Sequence, residues 1–256
     1  MIPLLVTLML AFPPAEVDSP APPAPDSASL NEEDRELLAS LGEGVLGPEL
    51  PPDRLVRLER YFPMRPGDWR FRIVDGPRRE QDHIVSLTRK GPERWLWDGG
   101  RAFSLMLDTS SPLVVDALSD VDRGHEVYSV FSPPQRILDL RAVPGDSVVQ
   151  TVDVGVYDLE KRTKEKHRGT ITITTTLVGL FEIRVPAGRF EAILTRSVYD
   201  GQIGPARVRE VTYRFFGKDT GPVAFVERRQ VIAFVIYRTR KRESMVLAQP
   251  PEFTDE

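Results

Sequence analysis

The sequence predicts a mainly β protein: a strongly curved antiparallel sheet or half-barrel of about 10–12 strands, with two short N-terminal helices packed on it. Three observations carry this. The spacing of apolar residues changes from the helical period to alternation at Trp69. From there on, turn-forming residues recur about every eight to twelve positions. Between Thr170 and Val178 the alternation is almost strict, with Ile171 and Ile173 on one face and Thr170, Thr172 and Thr174 on the other.

The helices come first. Asn31 is a good N-cap, and Glu32, Glu33 and Asp34 place negative charge in the first turn of a helix at about 32–41, which carries Leu37, Leu38 and Leu41 and ends at Gly42. Pro51-Pro52-Asp53 opens a second helix at about 52–60, with Leu55, Val56, Leu58 and Phe62 at helical spacing. Helices this short are marginal alone, so both are expected to lie against an apolar surface supplied by the rest of the chain.

Strands follow. After the Pro66-Gly67 turn come Trp69 to Val74, then His83 to Arg89, then Glu93 to Trp97 and Arg101 to Leu107 flanking the hairpin signal Asp98-Gly99-Gly100. His125 to Phe131, Arg136 to Leu140 and Ser147 to Tyr157 continue the series. Thr170 to Val178, then Phe181 to Val185 and Arg189 to Tyr199 around Pro186-Ala187-Gly188, extend it. Ala206 to Phe216, Pro222 to Arg229 and Val231 to Leu247 complete an antiparallel meander. The run Val231 to Tyr237 is wholly apolar, which predicts a strand covered on both faces, by the interior on one side and an N-terminal helix on the other. Arg228, Arg229 and Arg238 bracket it as gatekeepers.

Composition narrows the function classes. With 256 residues, 41% of them hydrophobic, the chain can bury a sizeable core. A net charge of −4 gives no overall field for phosphate backbones, so nucleic acid is not an expected partner. No cysteine is present, which excludes disulfides, thiol chemistry and a lipidated-cysteine anchor. Ile2 to Phe12 has the length of a signal-peptide core, although no basic residue precedes it, and a core helix or a misplaced start codon are the competing readings. The expected organisation is an apolar segment at 1–15, a proline-rich linker at 16–29, a single β-rich domain at 30–248 and an acidic tail at 249–256. The expected location is therefore periplasmic or extracellular, with an uncleaved N-terminus as one means of tethering.

Three local patterns together resemble a loose group of exported bacterial envelope proteins of unknown function. They are Tyr61-Phe62-Pro63 with Pro66-Gly67 and Trp69; Val185-Pro186-Ala187-Gly188-Arg189-Phe190; and Gly217 to Gly221 followed by Pro222-Val223-Ala224-Phe225-Val226-Glu227. This group is similar to the LolA/LppX type, in which a curved antiparallel sheet wraps a hydrophobic cavity closed by helices. The resemblance implies a lipid or lipidated ligand and assigns no functional residue.

The residues themselves offer little reactive chemistry. There is no Gly-x-Ser-x-Gly elbow, and His125-Glu126 is followed by Ser129 where a zinc protease needs its second histidine. Asp98-Gly99-Gly100 lacks the lysine and helix of a phosphate-binding loop, so no cofactor is expected. A barrel leaves room for a metal site built from His83, His125 and His167, with isolated histidines as the simpler reading. Asp116, Asp120, Asp122, Glu126 and Asp139 allow a carboxylate-dependent hydrolase if two of them converge, and otherwise read as solvated faces. Two features fit ligand contacts. Trp95 and Trp97 alternate onto one face near Phe103, lining a pocket or filling the core. Arg238, Arg240 and Arg242 form a basic stripe, with Arg207 and Arg209 on an earlier strand, facing an anionic surface or pairing with Glu210, Glu227 or Glu243. The leading expectation is a non-enzymatic envelope protein that binds an apolar or lipidic ligand. A structural or protein-interaction component of a secreted assembly, with an envelope protein as partner, is the alternative.

Overall fold

Alternation of side chains, carried strand by strand around the molecule, closes the sheet on itself. The computed structural model describes residues 30–100, 102–233 and 237–254, without the side chains of 233–238. The expected leader and linker at 1–29 lie outside the described residues. A short strand, β1 (Leu46–Leu50), precedes a continuous meander of β2 (Gly67–Asp75), β3 (Asp82–Arg89), β4 (Arg94–Asp98), β5 (Phe103–Asp108), β6 (Val114–Asp122) and β7 (Val127–Asp139). The meander continues through β8 (Ser147–Asp158), β9 (Glu165–Val185), β10 (Gly188–Ile203), β11 (Ala206–Gly217), β12 (Gly221–Ala233) and β13 (Tyr237–Leu247). Each of these strands pairs antiparallel with the next, and β13 pairs with β2, so β2 to β13 form a closed up-and-down barrel. Closure leaves none of the twelve with an open edge along the ring, the arrangement that best protects a sheet from edge-to-edge association.

Two strands lie off the ring. β9 outgrows β8, and its far half is partnered by β1 through Leu46↔Ile183 and Leu50↔Leu180. A terminal β14 (Glu252–Phe253) pairs with the start of β2. At the other end of β9 the hairpin with β10 coils so tightly that a Cβ on Gly169 would sit 1.9 Å from the Gln202 carbonyl oxygen, so only glycine fits there.

Inward positions on β2 to β5 form an apolar wall: Trp69, Phe71 and Ile73, then Val85 and Leu87, Trp95 and Trp97, and Phe103, Leu105 and Leu107, all buried. The chain between β1 and β2 closes the adjacent barrel end. Its Phe62 ring packs edge-on against Phe216 at 5.4 Å and lies 6.1 Å from Trp97. Phe253 of β14 packs edge-on against Trp69. Tyr61, Phe62 and Trp69, conspicuous in the sequence, are therefore closing residues.

Helix α1 (Glu32–Leu38) continues as a single 3-10 turn through Leu41 and stops at Gly42, whose φ of 113° only glycine adopts without strain. It lies outside the barrel. Leu37, Leu38 and Leu41 are buried against the outer faces of β12, β13 and β2, roughly 2 kcal/mol of stabilisation each. Asp34 accepts from the outward Tyr213 hydroxyl and pairs with Arg196 at 3.1 Å; Glu33 pairs with Arg228. No helix among the described residues is long and apolar enough to cross a membrane.

Several expectations need correction. The second helix does not form: 52–60 contains two isolated 3-10 turns, at Pro52–Arg54 and Leu58–Arg60, separated by extended backbone at Leu55. A helix would have placed Leu58, Tyr61 and Phe62 on one stripe, whereas the fold buries all three through an irregular path across the barrel end. Strands β1 and β6 were not expected. The segments 125–131 and 136–140 are one strand, β7, whose register slips around the prolines at 133 and 134, which have no N–H to donate. Val231 to Leu247 is not one strand either. Ala233 pairs with Tyr237, so the apolar run spans the reversal between β12 and β13, and Phe234, Val235 and Ile236 lie outside the described residues. Val231 faces inward, and α1 is paired with β12 farther along, at Arg228.

Candidate functional site in the barrel interior

The sequence-predicted ligand residues go to separate places. Trp95, Trp97 and Phe103 are packed within the apolar wall, with Trp97 stacked at a tilt on Trp69 at 5.1 Å and Phe103 lying 5.7 Å from the His83 ring. Arg240 and Arg242 are exposed on the outer face of β13, and the Arg238 side chain lies outside the described residues. Arg242 pairs with Asp75, and Arg207 and Arg209 both pair with Asp200. The expected partners Glu210, Glu227 and Glu243 take no part in this, because the register turns them to the opposite face.

The histidines do not converge. His83 is buried, and desolvation lowers its pKa to about 3. His125 contacts Asp122 through Nδ1 at 3.1 Å, and burial also lowers the pKa of His167. No group of three side chains suited to a metal ion forms among the described residues. Of the five acids considered for hydrolysis, Asp116 and Asp139 pair with Arg136, Asp122 receives the His125 amide, and Glu126 sits in a turn at φ 54°. Asp120 is the one of the five that joins the buried charges of β11 and β12.

Its companions come from the polar inward positions of β11 and β12. Arg229 pairs with Glu210 at 2.6 Å and Glu227 at 3.0 Å, and Thr212 donates to Glu210 at 3.0 Å. All are nearly inaccessible to solvent. Burial alone would lower the pKa of Arg229, but the flanking carboxylates of Glu210 and Glu227 outweigh it and the net shift is upward. Desolvation pushes Glu227 above the usual carboxylate range. Asp120, opposite Ser129 in the β6–β7 ladder, is fully buried, and desolvation raises its pKa to about 8. Both its carboxylate oxygens and the Ser129 hydroxyl lack a hydrogen-bond partner. Glu243 is capped by Arg78 at 2.8 Å.

One step nearer the Phe62 end lies a second buried cation with different company. Arg214 is 4% exposed; it donates to the Ser197 hydroxyl at 3.2 Å and the Tyr199 hydroxyl at 3.1 Å, and Tyr199 also accepts from Gln135. Its cross-strand partner is Thr195, 1% exposed. Thr195 lines a cleft at the barrel end beside the β7–β8 turn. Leu138, Ala142, Val148, Ile173 and Leu177 are its apolar lining, and polar side chains, Gln150 and Thr175 among them, make up the rest. The space between its atoms is about 430 Å³ with the open mouth included. Leu113 and Val143, both about half exposed, belong to the turns at the same end of the barrel.

The sequence offered Asp120 as a hydrolase candidate and Glu210 and Glu227 only as partners of the basic stripe, and it did not single out Arg214. The available signal was parity: Glu210, Thr212 and Arg214 alternate with Val208 and Phe216 on the inward side of β11, and Glu227 and Arg229 lie between Phe225 and Val231 on that of β12.

No protein-family model matches the chain, and no curated protein is detectably similar to it in sequence. Three solved structures overlap it partially. The hypothetical lipoprotein YmcC of Escherichia coli K12 is 13% identical, with 77% of this chain and 91% of that one covered at a TM-score of 0.40. A candidate lipoprotein of Parabacteroides distasonis is 14% identical, covering 74% and 97% at 0.37. A candidate exported protein with a YmcC-like fold from Bacteroides fragilis is 12% identical, covering 73% and 97% at 0.39. Overlaps at these scores do not by themselves establish a common fold, and the barrel described above rests on its own pairings.

Proposed function

We propose that this protein is an exported, non-enzymatic component of the cell envelope that binds an apolar or lipidic ligand in the cleft beside the β7–β8 turn. The observation that carries the reading is the cleft itself: an apolar lining leading from an open mouth to inward-facing positions of the barrel. The exposed Leu113 and Val143 extend the apolar surface at that end of the barrel. The apolar run at Ile2 to Phe12 and the proline-rich stretch after it support export, and the likeness to the LolA/LppX type points to the same ligand class. The acids that gather in the interior argue against a hydrolase, since Arg229 occupies the space between two of them and a substrate has no open path to Asp120.

The test uses a neutral fluorescent probe, N-phenylnaphthylamine, with the full chain and a Leu177→Trp variant that fills the cleft. Saturable binding by the wild type that the variant loses, with far-UV circular dichroism and the thermal unfolding midpoint unchanged, is the expected result. Equal binding by both, or none by the wild type, overturns the proposal.

A further inference from the structure

We infer that the cleft takes its ligand head first, and that the head is a carboxylate received by Arg214 and Thr195. The inference rests on the cleft reading above and names the ligand's chemistry. Buried guanidinium groups ordinarily sit against carboxylates because the loss of hydration must be offset. Arg229 obeys this with Glu210 on one side and Glu227 on the other. Arg214 does not. Its two Nη groups donate only to neutral hydroxyls, its Nε has no acceptor, and no carboxylate among the described residues forms an ion pair with it. Thr195 beside it is equally incomplete, its Oγ1 having no hydrogen-bond partner although the side chain lines the cleft. Thr195 thus stands at the cleft, and the unneutralised Arg214 is its partner across the β10–β11 ladder.

The chemistry of the occupant follows. An anion with two oxygens on a flat head can meet a guanidinium N–H and a hydroxyl together. The apolar lining then faces the tail, which runs outward toward the mouth. An ammonium head is disfavoured by Arg214. Of the acids that line the cleft, Asp139 is neutralised between Arg136 and Arg141, at 3.3 and 2.7 Å, and Asp146 accepts the Val143 amide.

The experiment is displacement of the neutral probe from the wild-type full chain by dodecanoate and by dodecanol, which share a tail and differ in the head. Dodecanoate is expected to displace it about tenfold more tightly or better. Arg214→Gln and Thr195→Val should each shrink that preference several-fold while leaving dodecanol unchanged. Equal displacement by acid and alcohol overturns the carboxylate assignment and leaves the apolar cleft standing, as does a preference that survives Arg214→Gln in a folded variant. If Arg214→Gln does not fold, the wild-type comparison and Thr195→Val decide. Failure of both amphiphiles to displace a bound probe removes the carboxylate assignment as well, and failure of the probe to bind removes the cleft reading beneath it.

Discussion

Two walls of one barrel obey the same parity and are built from opposite materials. On β2 to β5 every inward side chain from Trp69 to Leu107 is apolar except His83, and the rings of Trp69, Trp97 and Phe62 interlock. On β10 to β12 the middle of the inward series reads Thr195, Ser197, Tyr199, Glu210, Thr212, Arg214, Glu227 and Arg229, with Val208, Phe216, Phe225 and Val231 toward the strand ends. The first wall stabilises through buried area and close packing, which hardly depend on pH. The second is stable only insofar as each charge has its partner, and buried ion pairs gain little over an apolar substitute. A wall made this way is better explained by what it holds than by what it contributes to folding, which is why the unneutralised Arg214 matters more than the saturated Arg229.

Four perturbations bear on this contrast. Trp97→Ala should be the most damaging, costing about 4 kcal/mol by denaturant unfolding with little dependence on pH, because it empties the middle of the aromatic cluster. Arg229→Met should cost about 3 kcal/mol at pH 8 and less at pH 5, where protonation of Glu227, whose pKa burial already raises, relieves part of the uncompensated charge. A loss as large at pH 5 as at pH 8 would mean that packing, and not charge, holds this wall. Asp120→Asn should act in the other direction. The folded pKa of Asp120 is raised from 3.8 to about 8, so the native state keeps a proton that the unfolded chain has released, and stability declines as pH climbs through that interval. The amide removes the decline, giving a gain of about 2 kcal/mol at pH 8 to 9 and little change near pH 4. His83→Leu is the smallest and carries the mirror-image sign. With its folded pKa lowered from 6.5 to about 3, His83 stays neutral while the unfolded chain takes up a proton, so stability is lost as pH falls through that range. The variant should flatten the acid limb of the melting curve by about 1 kcal/mol at pH 5.

Legibility in the sequence followed the same division. The apolar wall was readable because Trp69-Arg70-Phe71-Arg72-Ile73 and Trp95-Leu96-Trp97 alternate, with glycine and proline at the turns. Helix α1 was readable from Asn31, whose side chain does accept the Asp34 amide, and from Gly42. Strand β6 was invisible because Asp120 and Asp122 occupy inward positions, where the pattern demands apolar residues. The cleft and Arg214 were hidden for the same reason: alternation tells which residues share a face, but a polar residue on the wrong parity reads as an outward one until the register is known. The break inside Val231 to Tyr237 was hidden because a reversal there carries neither glycine nor proline.

The ring is closed by one of its short joints. β13 and β2 share four partner pairs, Ser244↔Asp75 to Leu247↔Phe71, as few as β3 and β4, against twelve between β10 and β11. The turn after α1 packs across this seam, touching β12, β13 and β2, and Ser40 is hydrogen-bonded to Ser244 on it. Residues from both ends of the chain therefore act as a clasp. A nascent chain cannot fasten it until the last strand has left the ribosome, so assembly is governed by the slowest and most distant contact in the molecule. Amide exchange that begins at Met245 and Ile73, ahead of the remaining strands, would be the signature of a barrel that opens where it was last shut.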